Sequence, residues 1–222
     1  MAFIHRTTLT PTKLELLTTW LPTQPWYLGK GRPELERAGG FRLDDPEGEV
    51  GIEFMAVTDA SGDRPVTYQV PFSYRGAPMA GADEALIGTT EHGVLGTRWV
   101  YDGTRDPVLV AQLFALVLGE AEPQMQSTSH TPDPSVTVVS ADSFGASAIT
   151  STTVSDDPDG TYLLVETAAD GGPLAIRVNR VLRPGREADE EAAALGHVTA
   201  GWPLPDGTAA RAVFAVVSHP RP

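Results

Sequence analysis

Cysteine is absent from this 222-residue sequence, and lysine occurs at only two positions, Lys13 and Lys30. Without cysteine the chain has no disulfide framework and no thiolate that could act as a nucleophile or metal ligand. Lysine and arginine together number 16 against 29 acidic residues, which gives a formal charge of −13. This deficit of positive charge argues against nucleic acid as a partner, because phosphate contacts need clustered cations. It disfavours anionic membrane surfaces for the same reason.

Long apolar runs are also missing. No stretch approaches the roughly 18 apolar residues of a membrane span, and residues 1–6 lack the apolar core and small-residue cleavage site of a signal peptide. The five histidines stand far apart, and no two have the spacing of metal ligands on a helix. We therefore expect a cytoplasmic protein without a metal site or cofactor.

The hydrophobic share of 41% and the charged share of 20% are typical of a folded globular chain. Alternating apolar residues and tight-turn residues predict short strands throughout the chain. These strands are predicted at residues 50–54, 66–74, 85–88, 93–101, 136–140, 146–154, 161–167, 174–182 and 212–217. Capping and proline signals predict helices at 10–22 and 108–118, with a short acidic helix near 189–195. The predicted fold class is α+β, with two consecutive antiparallel sheets and a few helices.

Composition divides the chain near its middle. Residues 120–135 are rich in proline, glutamine, serine and threonine, which is typical of a linker. The predicted organisation is a first domain at 1–120, a linker at 121–135 and a second β domain at 136–222.

The candidates for direct contact with a ligand or partner are Trp26, Tyr27, Arg42, His92 and Val213. Trp26 and Tyr27, beside Pro25 and Gly29, form the aromatic pair that we expect to be exposed, suited to a sugar ring or a partner surface. Trp20 is expected in the core under its helix. His92 follows Glu91, and the two are either an acid/base pair or part of a turn. No serine lies in a nucleophile elbow, so a hydrolase is not expected.

The first 120 residues resemble the N-terminal cap of the actinobacterial maltokinase and glucosamine kinase family. The stretches that carry the resemblance are residues 5–17, 20–22, 25–27, 38–46 (which includes Arg42), 48–54, 74–78 and 88–96. The resemblance implies a cystatin-like cap, a curved antiparallel sheet with helices.

Residues 136–222 are similar to the small lobe of the same kinases, in degenerate form. Ser143, Gly145 and Ser147 would stand in the family's serine-rich phosphate loop. Arg177 would stand at the ATP-binding lysine, ahead of an Arg-Pro-Gly turn at 183–185. The helix that follows would carry the family's glutamate as Glu190 or Glu191.

Two departures from the family pattern decide the functional prediction. Arg177 replaces the lysine, no lysine follows Lys30, and a planar guanidinium is a poor substitute for an ammonium at a phosphate site. The sequence also reaches Pro222 before any catalytic lobe, whose Asp and Asn residues position phosphoryl transfer. The prediction is a non-catalytic accessory or regulatory protein of sugar-phosphate or α-glucan metabolism. The alternatives are half of a split sugar kinase completed in trans and a carbohydrate-binding module.

The expected partners are a sugar kinase, an enzyme of α-glucan or trehalose metabolism, or a second copy of the chain. In a full kinase the last strand of the small lobe, here 212–217, would be buried by the catalytic lobe. Val213 is therefore a predicted contact at an uncovered strand edge, unless the proline and charge at 219–222 protect that edge.

Overall fold

The computed structural model describes residues 7–140, 148–158, 160–168, 172–185, 194–204 and 206–220. Within these ranges the chain is mostly antiparallel β structure with two short α-helices. The helices are α1 (Lys13–Trp20) and α2 (Pro107–Val117). The strands of the first half are β1 (Leu9–Thr10), β2 (Leu35–Leu43), β3 (Gly51–Asp59), β4 (Val66–Arg75), β5 (Leu86–His92), β6 (Gly96–Asp102) and β7 (Gln124–Met125). Those of the second half are β8 (Thr137–Ser140), β9 (Ile149–Asp157), β10 (Gly160–Thr167), β11 (Leu174–Val178), β12 (Val181–Leu182), β13 (Gly196–Pro203) and β14 (Ala209–Ser218). Neither helix is long and apolar enough, among the residues described, to cross a membrane.

The first sheet has the strand order β1-β5-β6-β4-β3-β2-β7, and β12 also pairs with β4. Its strand β2 was not predicted, because the stretch reads as a glycine-rich loop. The glycines instead permit a bulge, since the pairing of β2 with β3 shifts between Arg37 and Gly39. Gly40 has a φ of +121°, and a Cβ there would lie 1.9 Å from the carbonyl oxygen of Phe54. Only glycine fits this close approach of two strands.

The second sheet has the strand order β8-β13-β14-β11-β10-β9. Its last strand in sequence, β14, lies inside the sheet between β13 and β11, where Val213 is opposite Thr199 and only 3% exposed. The prediction of an uncovered edge at Val213 is therefore wrong. The covering strand β13 was not predicted, because its glycines and its terminal proline obscure the alternating pattern.

A single large apolar core joins the two sheets and α2. Phe41 of β2 stacks on Phe54 of β3, with ring centroids 4.7 Å apart and an interplanar angle of 9°. Phe41 also lies 5.9 Å from Phe214 of β14, so aromatic rings of both sheets meet directly. Helix α2 adds its apolar face, including Leu113 and Phe114, to the same cluster. The two halves of the sequence thus bury one surface between them, which we call the shared core.

The segment expected to separate two domains is built into the first sheet. Strand β7 pairs with β2, and the Nε of Arg42 donates to the carbonyl oxygen of Met125 over 3.0 Å. Gln126 donates to the carboxylate of Glu53 over 2.9 Å. The prediction of a separating linker at 121–135 is corrected accordingly, since these hydrogen bonds hold the segment against the sheet. Strand β12, from the second half of the chain, likewise joins the first sheet by pairing with β4.

A smaller core lies on the other face of the first sheet, under α1. The helix begins with a capping box, in which Thr12 accepts from the N–H of Glu15 and the Glu15 carboxylate accepts from the N–H of Thr12. Leu17 and Leu21 are fully buried against this face, together with Trp26. Helix α1 is thereby fixed over β3 and β4, close to the residues described next.

Candidate binding cleft

A cleft of about 440 Å³ opens beside the smaller core, on the first sheet. One wall is the connection from α1 to β2, and the other is the turn between β3 and β4. It is lined by Leu28, Gly29, Lys30, Gly31, Arg32, Asp59, Ser61, Gly62, Asp63, Arg64, Val66 and Tyr68. Its volume lies within the range of ordinary ligand sites.

Asp59, at the end of β3, ties the two walls together. Its carboxylate accepts from the hydroxyl of Tyr27 at 2.9 Å, from the N–H of Glu34 at 3.0 Å and from the N–H of Ser61 at 3.0 Å. Burial by itself raises the pKa of Asp59, but these hydrogen bonds outweigh it and leave the pKa lowered. Burial and the neighbouring Asp59 carboxylate raise the pKa of Tyr27 to about 12. Tyr27 therefore remains a phenol that donates and Asp59 a carboxylate that accepts, a fixed brace at neutral pH.

Tyr68 lies fully buried behind the cleft and connects it to an aromatic cluster. Its hydroxyl accepts from the N–H of Leu28 at 3.0 Å. Its ring centroid lies 5.6 Å from that of Tyr27 and 6.0 Å from that of Trp26. Trp20 packs edge-on against Trp26 at 5.8 Å. Packed aromatic rings therefore lie directly behind the cleft.

Three cations on the rim of the cleft have no acidic partner among the described residues. Lys30, Arg32 and Arg64 are exposed, and none has an ion pair within the part of the chain that the structure describes. Of the two acidic lining residues, Asp59 is already occupied by its three donors, which leaves Asp63 on the rim. A protein with a formal charge of −13 thus has a local excess of positive charge here.

Trp26 does not reach the cleft surface. It is fully buried, and the Cζ of Arg180 lies 4.9 Å from the centre of its ring. The prediction of an exposed Trp26 is wrong, because the turn after α1 directs the indole into the smaller core. Trp20 is half-buried and packs against the same core. Tyr27 is half-buried and reaches the cleft through its hydroxyl.

Arg180 joins the first sheet to the second from a fully buried position. Its Nη2 donates to Asp102, the last residue of β6, at 2.5 Å and to the hydroxyl of Thr104, just after that strand, at 3.0 Å. Its Nε donates to the hydroxyl of Thr161 in β10 at 2.7 Å. Sequence reasoning chose Arg177 and missed Arg180. The available signal was an arginine within the apolar stretch at 178–182.

Glu53 is another buried charged group with several partners. It is 4% exposed, and its carboxylate pairs with Lys13 of α1 and accepts from the hydroxyl of Tyr74 at 2.7 Å. Burial favours a raised pKa, but Lys13 and the hydrogen bonds outweigh it and the pKa of Glu53 is lowered. Burial and the Glu53 charge raise the pKa of Tyr74 well above its ordinary value. This arrangement fixes α1 to the sheet.

We expect the Glu53 pair to make the protein sensitive to acid. The pKa of Glu53 is lower in the folded chain than in the unfolded one, so the unfolded state binds more protons as the pH falls. The stabilisation is fully present above the unfolded pKa of about 4.3 and is lost as the pH falls through the folded value. Urea unfolding at several pH values between about 7 and about 3 measures it. Glu53→Gln should be less stable at neutral pH and should lose less stability on acidification.

The exposed Glu47→Gln variant is the matched control, because it makes the same substitution on the neighbouring turn. Its acid profile should follow that of the unchanged chain. Equal acid losses in the unchanged protein and in Glu53→Gln would contradict the structural role given to Glu53.

The other predicted contact residues do not gather at one place. Arg42 donates a hydrogen bond to Met125 of β7. His92 lies at the tip of the β5–β6 hairpin, where its Nδ1 accepts from the N–H groups of Val94 at 3.2 Å and Leu95 at 3.0 Å. Arg177 is half-buried in β11, opposite Tyr162 and Val216. The predicted residues Ser143, Gly145, Ser147, Glu190 and Glu191 lie outside the described residues. Among the described residues no group of three or more His, Asp or Glu side chains could hold a metal ion.

Comparison with known families identifies the region that holds the cleft. Residues 20–106 match the family model of the maltokinase N-terminal cap domain. The match includes both walls of the cleft, Glu53 and Asp102, and it ends at the residue that caps α2. It spans less than half of the chain and leaves the second sheet outside.

Proposed function

We propose that this chain, which carries a maltokinase N-terminal cap domain and is thereby related to the maltokinase-type sugar kinases, is a non-catalytic accessory or regulatory protein acting through protein contacts. The observation that carries the proposal is where the charged side chains lie. The buried ionisable groups described above form ion pairs that hold the fold together, whereas cations without an acidic partner among the described residues line a surface cleft.

Asp106 illustrates the structural use of buried charge. Arg75 donates to both of its oxygens at 2.7 Å, and the same carboxylate caps α2 through the N–H of Val108 at 3.0 Å. Burial would raise the pKa of Asp106, but Arg75 and the other donors outweigh it and lower the pKa. A general acid or base works best with a pKa near the operating pH. A carboxylate that stays ionised and saturated with donors suits a structural role.

Arg177 supports the same proposal from the second sheet. It stands in β11 at the position where the resemblance places the ATP-binding lysine, and the Pro184–Gly185 turn follows β12 in the expected order. A guanidinium keeps the charge but presents a wide planar fork instead of a compact ammonium. We infer a small lobe whose nucleotide site has degenerated.

A split kinase completed in trans remains the second candidate, because the strand and turn order of the second sheet would suit it. A carbohydrate-binding module is not proposed. Its aromatic platform needed Trp26 on the surface, and Trp26 is buried in the smaller core.

Two measurements on the purified chain test the proposal. The chain alone, with Mg-ATP and maltose or glucosamine, is expected to form no phosphorylated sugar. Affinity purification from the native host followed by mass spectrometry is expected to recover a sugar kinase or an enzyme of α-glucan or trehalose metabolism. That enzyme is then purified, and its kcat and KM are measured with and without the chain.

A change in the partner's kcat or KM supports the accessory role. Sugar phosphorylation by the chain alone contradicts it. Phosphorylation that appears only when a separate catalytic-lobe polypeptide is added supports the split kinase in its place.

A further inference from the structure

We propose that the cleft between residues 28–32 and 59–66 is the docking site for an acidic segment of a partner protein. The proposal rests on the proposed function, since it supplies the chemistry of the contact through which the protein acts. The occupant is a short stretch of Asp or Glu residues with an aliphatic side chain among them. The cations that receive it are Lys30, Arg32 and Arg64.

Charge complementarity is the first argument. The three cations converge on one cleft in a protein that has only 16 cations and a formal charge of −13. Within the described chain they are free of ion pairs, so a partner carboxylate would not have to displace an internal acid. Arginine also offers a planar fork that takes a carboxylate in two parallel hydrogen bonds.

The shape of the cleft supplies the second argument. Asp59 and Tyr27 brace both walls, and Tyr68 holds the N–H of Leu28, so the walls are formed before anything binds. A preformed site loses less conformational entropy on binding than a site that must be ordered. A volume of about 440 Å³ takes a few residues of an extended peptide, and not a whole domain.

An apolar contact beside the cations distinguishes a peptide from a bare anion. Leu28 is 51% exposed at the cleft, and Val66 is half-buried in the opposite wall. An aliphatic side chain on the partner would cover Leu28 while its acidic neighbours reach the arginines. Inorganic phosphate would leave Leu28 in water and gain nothing from it.

The overall negative charge of the protein opposes this docking only weakly at physiological salt. The Debye length is then about 8 Å, so distant acidic residues are screened while the cations at the contact are not. Exposed ion pairs are each worth little, and the affinity should therefore come from several pairs together with the apolar contact.

Fluorescence anisotropy of a labelled peptide tests the proposal directly. The probe is a peptide of about twelve residues in which Glu and Asp alternate with Leu, and its control replaces the acids by Gln and Asn. The acidic peptide should bind the full chain and should weaken as salt rises from about 50 to about 500 mM. Arg32→Glu/Arg64→Glu should weaken binding about tenfold or more.

Arg183→Glu/Arg211→Glu is the matched control for net charge, since both arginines are exposed away from the cleft and Arg211 donates instead to Ser135 and Thr137. This control should alter the affinity by less than about twofold. Circular dichroism confirms that each variant is folded.

Four outcomes overturn the proposal. Equal weakening by both double variants would show that only net charge matters. Binding of inorganic phosphate but not of the peptide would assign the cleft to a small anion, and a dimer lost on Arg32→Glu/Arg64→Glu would assign it to a second copy. If the unchanged chain and the Arg32→Glu/Arg64→Glu variant changed the partner's kcat or KM equally, this inference would fail. The proposed function would still stand.

Discussion

Replacing Arg180 by Ala is expected to lower the free energy of unfolding by about 3–5 kcal/mol. Arg180 is fully buried, and its main partner Asp102 is 3% exposed, so the variant would leave a carboxylate without its counter-charge inside the protein. The hydroxyls of Thr104 and Thr161 would lose their donor as well. The guanidinium also covers the ring of Trp26, so its loss opens space in the smaller core.

Chemical denaturation at neutral pH measures this loss, and a second variant separates its causes. Arg180→Met/Asp102→Asn removes both charges while keeping most of the volume, and it should recover much of the stability lost in Arg180→Ala. Arg183→Ala, three residues away and exposed, should change stability by less than about 0.5 kcal/mol. A loss below about 1 kcal/mol for Arg180→Ala would mean that the ion pair does not join the sheets as described.

Replacing Phe214 by Ala should cost about 3–5 kcal/mol, the usual range for truncating a buried Phe. Phe214 is 1% exposed, and its ring lies 5.9 Å from Phe41 of the first sheet and 6.2 Å from Trp202 of the second. The cavity would therefore open between the sheets. Both sheets should lose stability together, in one cooperative transition.

Two optical probes distinguish this result from the unfolding of separate domains. In a Trp202→Phe background the remaining tryptophans, Trp20, Trp26 and Trp99, lie in the first half of the chain, and far-ultraviolet circular dichroism reports both sheets. The midpoints from both probes should coincide and should shift equally on Phe214→Ala. Leu164→Ala, a truncation at a side chain that is 43% exposed, is the control. Two separate transitions, with the tryptophan signal unmoved, would refute a shared core.

Alternating patterns predicted the strands that need only local information. Val50, Ile52 and Phe54 indicated β3, and the alternation at 66–74 indicated β4. Two of the longer strands that were missed, β2 and β13, contain glycines whose role is clear only beside their neighbours, as at Gly40 and Phe54. Each of these strands also pairs with a strand far away in sequence, β2 with β7 and β13 with β8, and local propensity does not reveal such partners.

The candidate site was predicted in part, through Tyr27 and the recognition of the cap. The burial of Trp26 could not be predicted, because it depends on Tyr68 and Arg180, which are distant in sequence. The cleft cations were equally hidden. Lys30 and Arg32 come together with Arg64 only after the β3–β4 turn folds back against the connection to β2.

Because strand β12 comes from the second half of the chain and pairs with β4 of the first half, the first sheet cannot be completed until most of the chain has been synthesised. Val181 and Leu182 pair with Tyr68 and Thr67 on β4, and the carbonyl of Arg180 receives the N–H of Gln69. A chain emerging from the ribosome exposes the cap sequence long before these residues are synthesised. Until then that edge of β4 has no partner from β12, and the apolar side of the first sheet lacks the second sheet that covers it. The nascent cap therefore exposes an unpaired strand edge until β12 has been synthesised. A chaperone that shields exposed edges would act in that interval.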